Sequence, residues 1–168
     1  EKMVVVKDGG LVLNANKNIV SVTKANPAVV EITGHGYSNG DFWYCNDGGQ
    51  MTQLEGRFYK IKNKTTDTFE LTDLDGNNID STNFTTYSSG GTGATLYVLV
   101  TPYDHEDLFD IDYTQSADTM TLVCVGYDAK ELTRTDHNAW TISNITFTPQ
   151  IAAPSGSVGT PAVGGAAT

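Results

Sequence analysis

The sequence predicts an all-β protein in which a small β-barrel domain is inserted into an antiparallel β-meander. Helix signals are almost absent, because no run of ten or more residues places apolar positions at three-and-four spacing. Short segments rich in Val, Ile, Thr, Tyr and Phe recur instead, and Gly, Asn and Asp residues separate them. This combination is typical of strands joined by tight turns.

The first half of the chain contains seven strand-like segments and two clear turn signals. Asp8-Gly9 supplies the positive φ angles that a two-residue hairpin turn requires, and residues 75–77 form a second turn. Tyr59 and Ile61 alternate with Lys60, which places one face of that strand on a core and the other in water. The predicted strands are residues 3–7, 11–13, 19–23, 29–33, 41–45, 57–62 and 68–71.

The second half begins with residues 96–101, which are apolar on both faces and are therefore predicted to form a central strand. A single helical turn is predicted at residues 105–108. Further along, Ile111 and Tyr113 alternate with acidic residues, as in a half-buried strand. Three more strands at short spacing complete a four-stranded meander, the unit from which propeller blades are built. These strands are residues 119–125, 131–134 and 140–147.

These segments predict a discontinuous arrangement of domains. A barrel whose ends lie close together can be inserted into a surface turn of its host at little cost. Residues 19–23 and 91–95 are then the two hinge strands. The tail is rich in Ala, Gly, Pro and Ser, a composition that cannot bury enough apolar surface to offset the entropy of the chain. The predicted units are a blade-like domain (1–18 plus 96–150), the inserted barrel (19–95) and a flexible linker (151–168).

The composition excludes several classes of protein. Ten basic against twenty acidic residues give a net charge of −10, which repels nucleic acid over most of the surface. No stretch has the layout of a signal peptide or of a membrane span, so we expect no membrane insertion.

Cys45 and Cys124 are too few for a disulfide framework and are predicted to be small buried residues. The chain starts without Met and within a strand-like pattern, so we expect it to be a fragment of a longer protein.

Five sequence phrases carry a first resemblance. They are residues 26–30 (NPAVV), 34–41 (GHGYSNGD), 51–56 (MTQLEG), 68–71 (TFEL) and 89–92 (SGGT). In this order they resemble a small β domain of phage structural proteins. That domain is related to the first catalytic cysteine half-domain of ubiquitin-activating enzymes. This half-domain does not carry the reactive cysteine of those enzymes, so the resemblance implies a barrel-like module without ubiquitin chemistry.

The flanking segments carry a second resemblance. They are residues 6–13 (VKDGGLVL), 101–103 (TPY), 107–111 (DLFDI), 115–118 (QSAD), 132–135 (LTRT) and 140–142 (WTI). This pattern is similar to a family of large podophage-type tail proteins with blade-like repeats, which includes nozzle and tail-tubular components. The family usually has prolines before its Leu-Thr-Arg element, whereas this chain has Tyr-Asp-Ala-Lys at residues 127–130.

Together the resemblances imply a non-enzymatic structural component of a bacteriophage tail, a fragment of a ring-forming virion protein assembled in the host cytoplasm. The expected partners are other copies of itself and neighbouring tail proteins, with no cofactor and no specific binding of the DNA that passes nearby. An acidic segment at residues 101–137 would line a channel and repel passing DNA. The candidate channel-facing residues are Asp104, Glu106, Asp107, Asp110 and Asp112.

An alternative function is a surface module of a tail tip or adhesin that binds host glycan or another receptor. Aromatic rings can stack on sugars or anchor a partner when they are exposed. Alternation along residues 42–44 turns either Trp43 or its two neighbours outward. The candidate contact residues are therefore Tyr37, Trp43 and Tyr44, and ordinary core packing is the competing interpretation.

No motif in the sequence indicates catalysis, and we expect no enzymatic activity. The chain lacks a nucleophile elbow, and no glycine-rich phosphate loop precedes a helix. His35 lies between two glycines, a context that predicts a tight turn rather than a ligand. Residues 104–107, with Asp110 and Asp112, offer several carboxylates, but their spacing matches no known calcium loop. We therefore expect no bound metal.

Overall fold

The computed structural model describes residues 1–147, and within them the chain is all-β. The linker predicted at residues 151–168 lies outside the described residues. No helix in the described part has the length and apolarity needed to cross a bilayer. The two helical segments are single 3₁₀ turns at Thr52–Leu54 and Asp107–Phe109. The strands are β1 (Lys2–Val4), β2 (Val6–Lys7), β3 (Gly10–Leu11), β4 (Lys17–Asn18), β5 (Ser21–Val22), β6 (Val29–Glu31), β7 (Phe42–Asp47), β8 (Arg57–Lys62), β9 (Thr68–Thr72), β10 (Thr92–Thr95), β11 (Val98–Val100), β12 (Asp112–Ser116), β13 (Thr119–Val123), β14 (Lys130–Asp136) and β15 (Ala139–Asn144).

Seven strands form one antiparallel sheet in the order β4-β10-β7-β8-β9-β6-β5, which curls into a half-barrel. Its two outer strands are consecutive in sequence and are separated only by Ile19 and Val20. Three peptide steps span at most about 11 Å, so the two edges of the sheet lie close together. The backbone N–H of Ile19 donates to the carbonyl of Gly91, and that of Val20 donates to the carbonyl of Glu31. The connector is therefore bonded to strands on both sides of the curl.

The half-barrel encloses the main hydrophobic core. Strand β7 points Trp43 and Cys45 inward, and β8 contributes Tyr59 and Ile61 from alternate positions. This period of two confirms the alternation predicted for β8, whose bounds coincide with the predicted strand. The buried members of this core are Ile19, Val22, Ala28, Val30, Ile32, Tyr37, Trp43, Cys45, Met51, Leu54, Tyr59, Ile61, Phe69 and Leu71.

The tightest contact in this core is between the Trp43 indole and the backbone of Gly93 in β10. Trp43 has no exposed surface, and a Cβ added at Gly93 would lie 2.2 Å from Trp43 Cζ2. Real Cβ atoms do not approach a ring carbon so closely, so only glycine lets β10 pair with β7 above the indole. Gly93 therefore couples the ladder of the sheet to the packing of its largest side chain.

The chain enters and leaves the half-barrel along two adjacent antiparallel segments. Leu13 forms an isolated bridge with Leu96, and β4 pairs with β10. Between them, the N–H of Asn14 donates to the carbonyl of Thr95 at 2.9 Å. The domain boundaries predicted at residues 18/19 and 95/96 fall within this pair of segments, and they stay predictions.

Strands β12 to β15 form a separate antiparallel meander with nearest-neighbour order, which confirms the four consecutive strands predicted there. Hairpin β12–β13 closes on a two-residue turn, Ala117-Asp118, with Ser116 opposite Thr119. A smaller core lies on one face of this sheet, beneath the two-stranded ribbon of β1 and β11. Its buried members are Tyr103, Leu122, Cys124 and Leu132.

One local prediction is wrong, a second is displaced by one to two residues, and one turn is confirmed. Residues 96–101 are not a central strand, because β11 pairs only with β1 among the described residues and Val100 is 67% exposed. The helical turn predicted at residues 105–108 is instead the 3₁₀ turn Asp107–Phe109. Asp8 and Gly9 have φ angles of 52° and 81° and join β2 to β3, as the sequence predicts.

We predict that Gly93→Ala lowers the free energy of unfolding by about 3 kcal/mol, because the new methyl group must displace Trp43 or push β10 off β7. Urea unfolding followed by circular dichroism measures the change. Gly10→Ala is the matched control, since its Cβ would meet only the Lys7 carbonyl oxygen at 3.8 Å. Equal stability of the two variants would contradict the proposed packing.

Candidate interaction surface

Five of the six carboxylates in residues 101–118 cluster in sequence around the second 3₁₀ turn and the start of β12, and we call these five side chains the acidic corner. They are Asp104, Glu106, Asp107, Asp110 and Asp112, the residues that the sequence singles out as channel-facing. No Lys or Arg lies between residues 101 and 118. The sixth carboxylate, Asp118, is paired with Arg134 at 2.6 Å. Four members of the corner are exposed, and Asp107 is half-buried.

Asp107 differs from the other members because its carboxylate has internal partners. Its Oδ2 accepts a hydrogen bond from the Tyr127 hydroxyl at 2.6 Å and another from the N–H of Asp104 at 2.9 Å. The Tyr127 hydrogen bond is the main reason why the pKa of Asp107 is lowered, and it raises the pKa of Tyr127 to about 12. Asp107 thus ties the 3₁₀ turn to the smaller core.

Large apolar side chains are exposed beside these carboxylates. Leu108 is 64% exposed, Phe109 is 94% exposed and Tyr113 is 70% exposed. Exposed aromatic and aliphatic side chains grouped in this way mark interaction sites more often than scattered single residues do. Leu108 and Phe109 were not among the predicted site residues, although two adjacent apolar residues between acids were an available signal.

An open groove of about 470 Å³ lies between this corner and the apolar face of the meander. Met3 of β1 and Tyr113 of β12 both line it. The sheet side chains that line it are largely apolar, and of these Met120 and Ile142 are only half-buried. The full lining is Glu1, Lys2, Met3, Thr101, Tyr103, Asp104, His105, Leu108, Ile111, Tyr113, Met120, Leu122, Leu132 and Ile142. The ribbon of β1 and β11 therefore leaves the apolar face of the meander incompletely covered.

Tyr103, in the wall of this groove, carries a buried hydroxyl that has no hydrogen-bond partner among the described residues. Its ring meets the Tyr127 ring edge-on, with centroids 5.1 Å apart. Burial raises the pKa of Tyr103. The side chain thus contributes apolar packing, while its hydroxyl is desolvated without compensation.

The aromatic residues considered as a glycan platform do not form an exposed surface. Trp43 has no exposed surface and Tyr37 is 7% exposed, because both point into the half-barrel core. Tyr44 lies on the outer face of β7, where it is half-buried and its ring packs 4.8 Å from that of Phe58. The burial of Trp43 and Tyr37 is incompatible with a role as sugar-stacking anchors.

His35 is buried in the turn between its two flanking glycines. The N–H of Tyr37 donates to His35 Nδ1 at 2.9 Å, so the ring proton is on Nε2, which lies 3.4 Å from the Thr68 carbonyl oxygen. Burial is the main reason why the pKa of His35 is lowered, and Lys64 and Lys17 lower it further. The neutral imidazole therefore holds this turn against β9.

Both cysteines are buried, as the sequence predicts, and neither forms a disulfide within the described residues. Burial raises the pKa of Cys45 to about 12, which disfavours its thiolate. Within residues 1–147, no three His, Cys, Asp or Glu side chains converge as the ligands of a metal ion would.

Comparison with known proteins gives no assignment: no protein-family model matches the chain, and no curated protein matches it in sequence.

We predict that the chain loses stability as the pH falls below about 6.5. His35 has a lowered pKa in the fold and an ordinary value of 6.5 when unfolded, so the unfolded chain binds the proton first. The contribution of neutral His35 to the free energy of unfolding is complete above pH 6.5. It is lost as the pH falls through the lower pKa that His35 has in the folded chain. Urea midpoints between pH 7.5 and 5 measure it, above the range where most carboxylates titrate.

The His35→Gln variant is expected to lose the dependence of the urea midpoint on pH between pH 6.5 and 5. His137→Gln, at a half-buried histidine of the β14–β15 turn, is the matched control and should retain the slope. An unchanged slope in His35→Gln would show that another group is responsible.

We predict opposite effects for two tyrosine substitutions in the smaller core. Tyr103→Phe removes a buried hydroxyl without a partner and should leave stability unchanged or raise it by up to about 1 kcal/mol. Tyr127→Phe removes the hydrogen bond to Asp107 and should lower stability. Thermal and urea unfolding of the two variants check this, and a loss of stability in Tyr103→Phe would reveal a partner for that hydroxyl.

Proposed function

We propose that this chain is a non-enzymatic structural module of a bacteriophage tail, built into a larger ring-forming virion protein. The observation that carries the proposal is the incompletely covered meander. Its apolar face borders an open groove lined in part by the exposed Leu108 and Tyr113, and Phe109, next to Leu108 in the chain, is exposed as well. In a ring of blade-like sheets, each sheet packs against its neighbour. A neighbouring sheet would therefore cover the apolar surface that this meander leaves open.

The contrast between the two cores supports a division of roles. Fourteen buried side chains fill the half-barrel, whereas only four are buried in the smaller core. Burial of apolar surface is the main favourable contribution to folding, so the half-barrel has the larger internal source of stability. In the proposal, the half-barrel is stable through its own core and projects from the assembly, whereas the meander contacts neighbouring subunits.

The attribution to a phage tail rests on the sequence phrases of the two resemblances. The QSAD phrase spans the β12–β13 turn, LTRT lies within β14, and WTI lies within β15. All three phrases therefore belong to one meander, which is the arrangement expected of a blade-like repeat. The podophage-type family and the virion location are inferred from these phrases.

The charge of the chain is compatible with DNA passing nearby. Asp104, Glu106, Asp110 and Asp112 are exposed and, within the described residues, form no ion pair with Lys or Arg. A net charge of −10 repels phosphate backbones, so a tail component with this surface would not retain DNA by electrostatic attraction. The glycan-binding alternative receives no support from the buried Trp43 and Tyr37.

Mass spectrometry of purified particles tests this proposal. Density-banded phage particles from the bacterium that carries the gene should contain peptides of this chain in several copies per particle. Electron microscopy of the same fraction should show tails. If the peptides remain in the soluble lysate and are absent from particle bands, the proposal is wrong.

A further inference from the structure

We propose that the outer edge of β12 receives an extended segment of a neighbouring protein chain, in which Lys or Arg alternates with apolar residues. The segment adds to the meander as a fifth strand beside β12. The proposal rests on the proposed function only in identifying this neighbour as another tail chain.

Strand β12 has an unpaired edge. It is the outermost strand of the meander, and β13 is its only partner among the described residues. In a two-residue hairpin, the residues that flank the turn exchange backbone hydrogen bonds, so Ser116, Thr114 and Asp112 bond to β13. The backbone N–H and C=O groups of Tyr113 and Gln115 consequently point away from the sheet.

This edge carries one charged side chain, Asp112, but lacks the other features that usually prevent strand addition. Residues 112–116 contain neither Pro nor Lys, and their register with β13 runs without a bulge. Proteins commonly protect exposed edges with Lys, Pro, bulges or a covering loop. All five residues of β12 are exposed. An added strand would satisfy the free backbone groups, as in other cases of β-strand addition.

The two faces of β12 dictate which side chains the added strand carries. Tyr113 lines the apolar groove, and Ile111 lines it just before the strand begins. On the opposite face, Asp112 lies across from Val123, and Asp110 lies in the same surface depression. Side chains of neighbouring strands share a face at paired positions. Residues of the added strand that face the groove are therefore apolar, and the alternate residues meet carboxylates.

The charge of the edge favours a cationic partner over a second copy of this chain. Pairing two β12 strands would join two chains that each carry a net charge of −10 and have no Lys or Arg between residues 101 and 118. Like charges directly opposite are destabilising in a sheet. Nucleic acid is repelled for the same reason. Lys or Arg side chains, by contrast, would meet Asp110 and Asp112, which form no ion pair within residues 1–147.

Fluorescence anisotropy with labelled eight-residue peptides tests the proposal on the full chain. The probe is a peptide of four alternating Lys-Val pairs. One control has the same composition arranged as a Lys block followed by a Val block, and another replaces Lys by Glu. The alternating Lys-Val peptide should bind about tenfold more tightly than either control, because only it matches both faces. Its affinity should decrease as salt is added.

Two matched pairs of variants localise the binding. Gln115→Pro removes the outward N–H at an edge position that tolerates proline, and should weaken binding about tenfold, whereas Gln115→Ala should not. Asp112→Asn should weaken binding about two- to fivefold, whereas Asp75→Asn, in the distant β9 turn, should not. If circular dichroism shows that Gln115→Pro is misfolded, the Asp112→Asn and Asp75→Asn variants and the three peptides still test the proposal.

Three outcomes overturn the proposal. They are equal binding of the block and alternating peptides, unchanged binding in both Gln115→Pro and Asp112→Asn, and no binding at millimolar peptide. Concentration-dependent dimers in light scattering that Gln115→Pro abolishes would assign the edge to a second copy instead. A negative peptide result with peptides of the chain present in virions would reject this inference and leave the proposed function intact.

Discussion

The antiparallel pairing of the segments that enter and leave the half-barrel is the constraint on which the rest of the structure depends. Residues 12–18 and 92–97 run side by side through the bridge between Leu13 and Leu96 and the pairing of β4 with β10. Because the two ends meet, a complete curled sheet fits between β3 and β11 without separating β1 from β11. On its other side β10 pairs with β7, where Gly93 packs against Trp43, so one strand both closes the entry of the half-barrel and packs its core.

The two cores of the chain differ in how fully they exclude water. The half-barrel encloses Trp43, Phe69 and Met51 completely, since its sheet curls around them. The meander is nearly one-sided, and a two-stranded ribbon is too narrow to cover four strands. Its remaining apolar surface lies beside an unpaired edge and an acidic corner. We propose that neighbouring chains bind to this part, because its apolar surface is incompletely buried and its edge strand is unpaired.

Local pattern was sufficient to predict the fold class, most strands and the Asp8-Gly9 turn, because alternation and turn chemistry act within a few residues. It failed where the outcome depended on distant partners. Residues 96–101 look like a central strand, but only the placement of β1 decides that β11 lies in an exposed ribbon. Likewise, alternation along β7 could not say which face is inward, and the free edge of β12 is visible only once the sheet order is known.

The central claim is that the β12 edge of the meander is unpaired in the isolated chain. Residue-resolved hydrogen exchange tests this claim most directly. The amides of Tyr113 and Gln115 should exchange nearly as fast as in an unstructured peptide, while those of Thr114 and Ser116 should be protected by β13. Amides of Trp43 and Tyr59 should exchange slowest of all. If Tyr113 and Gln115 are protected in the isolated chain as strongly as Trp43, the edge is already occupied and the account is wrong.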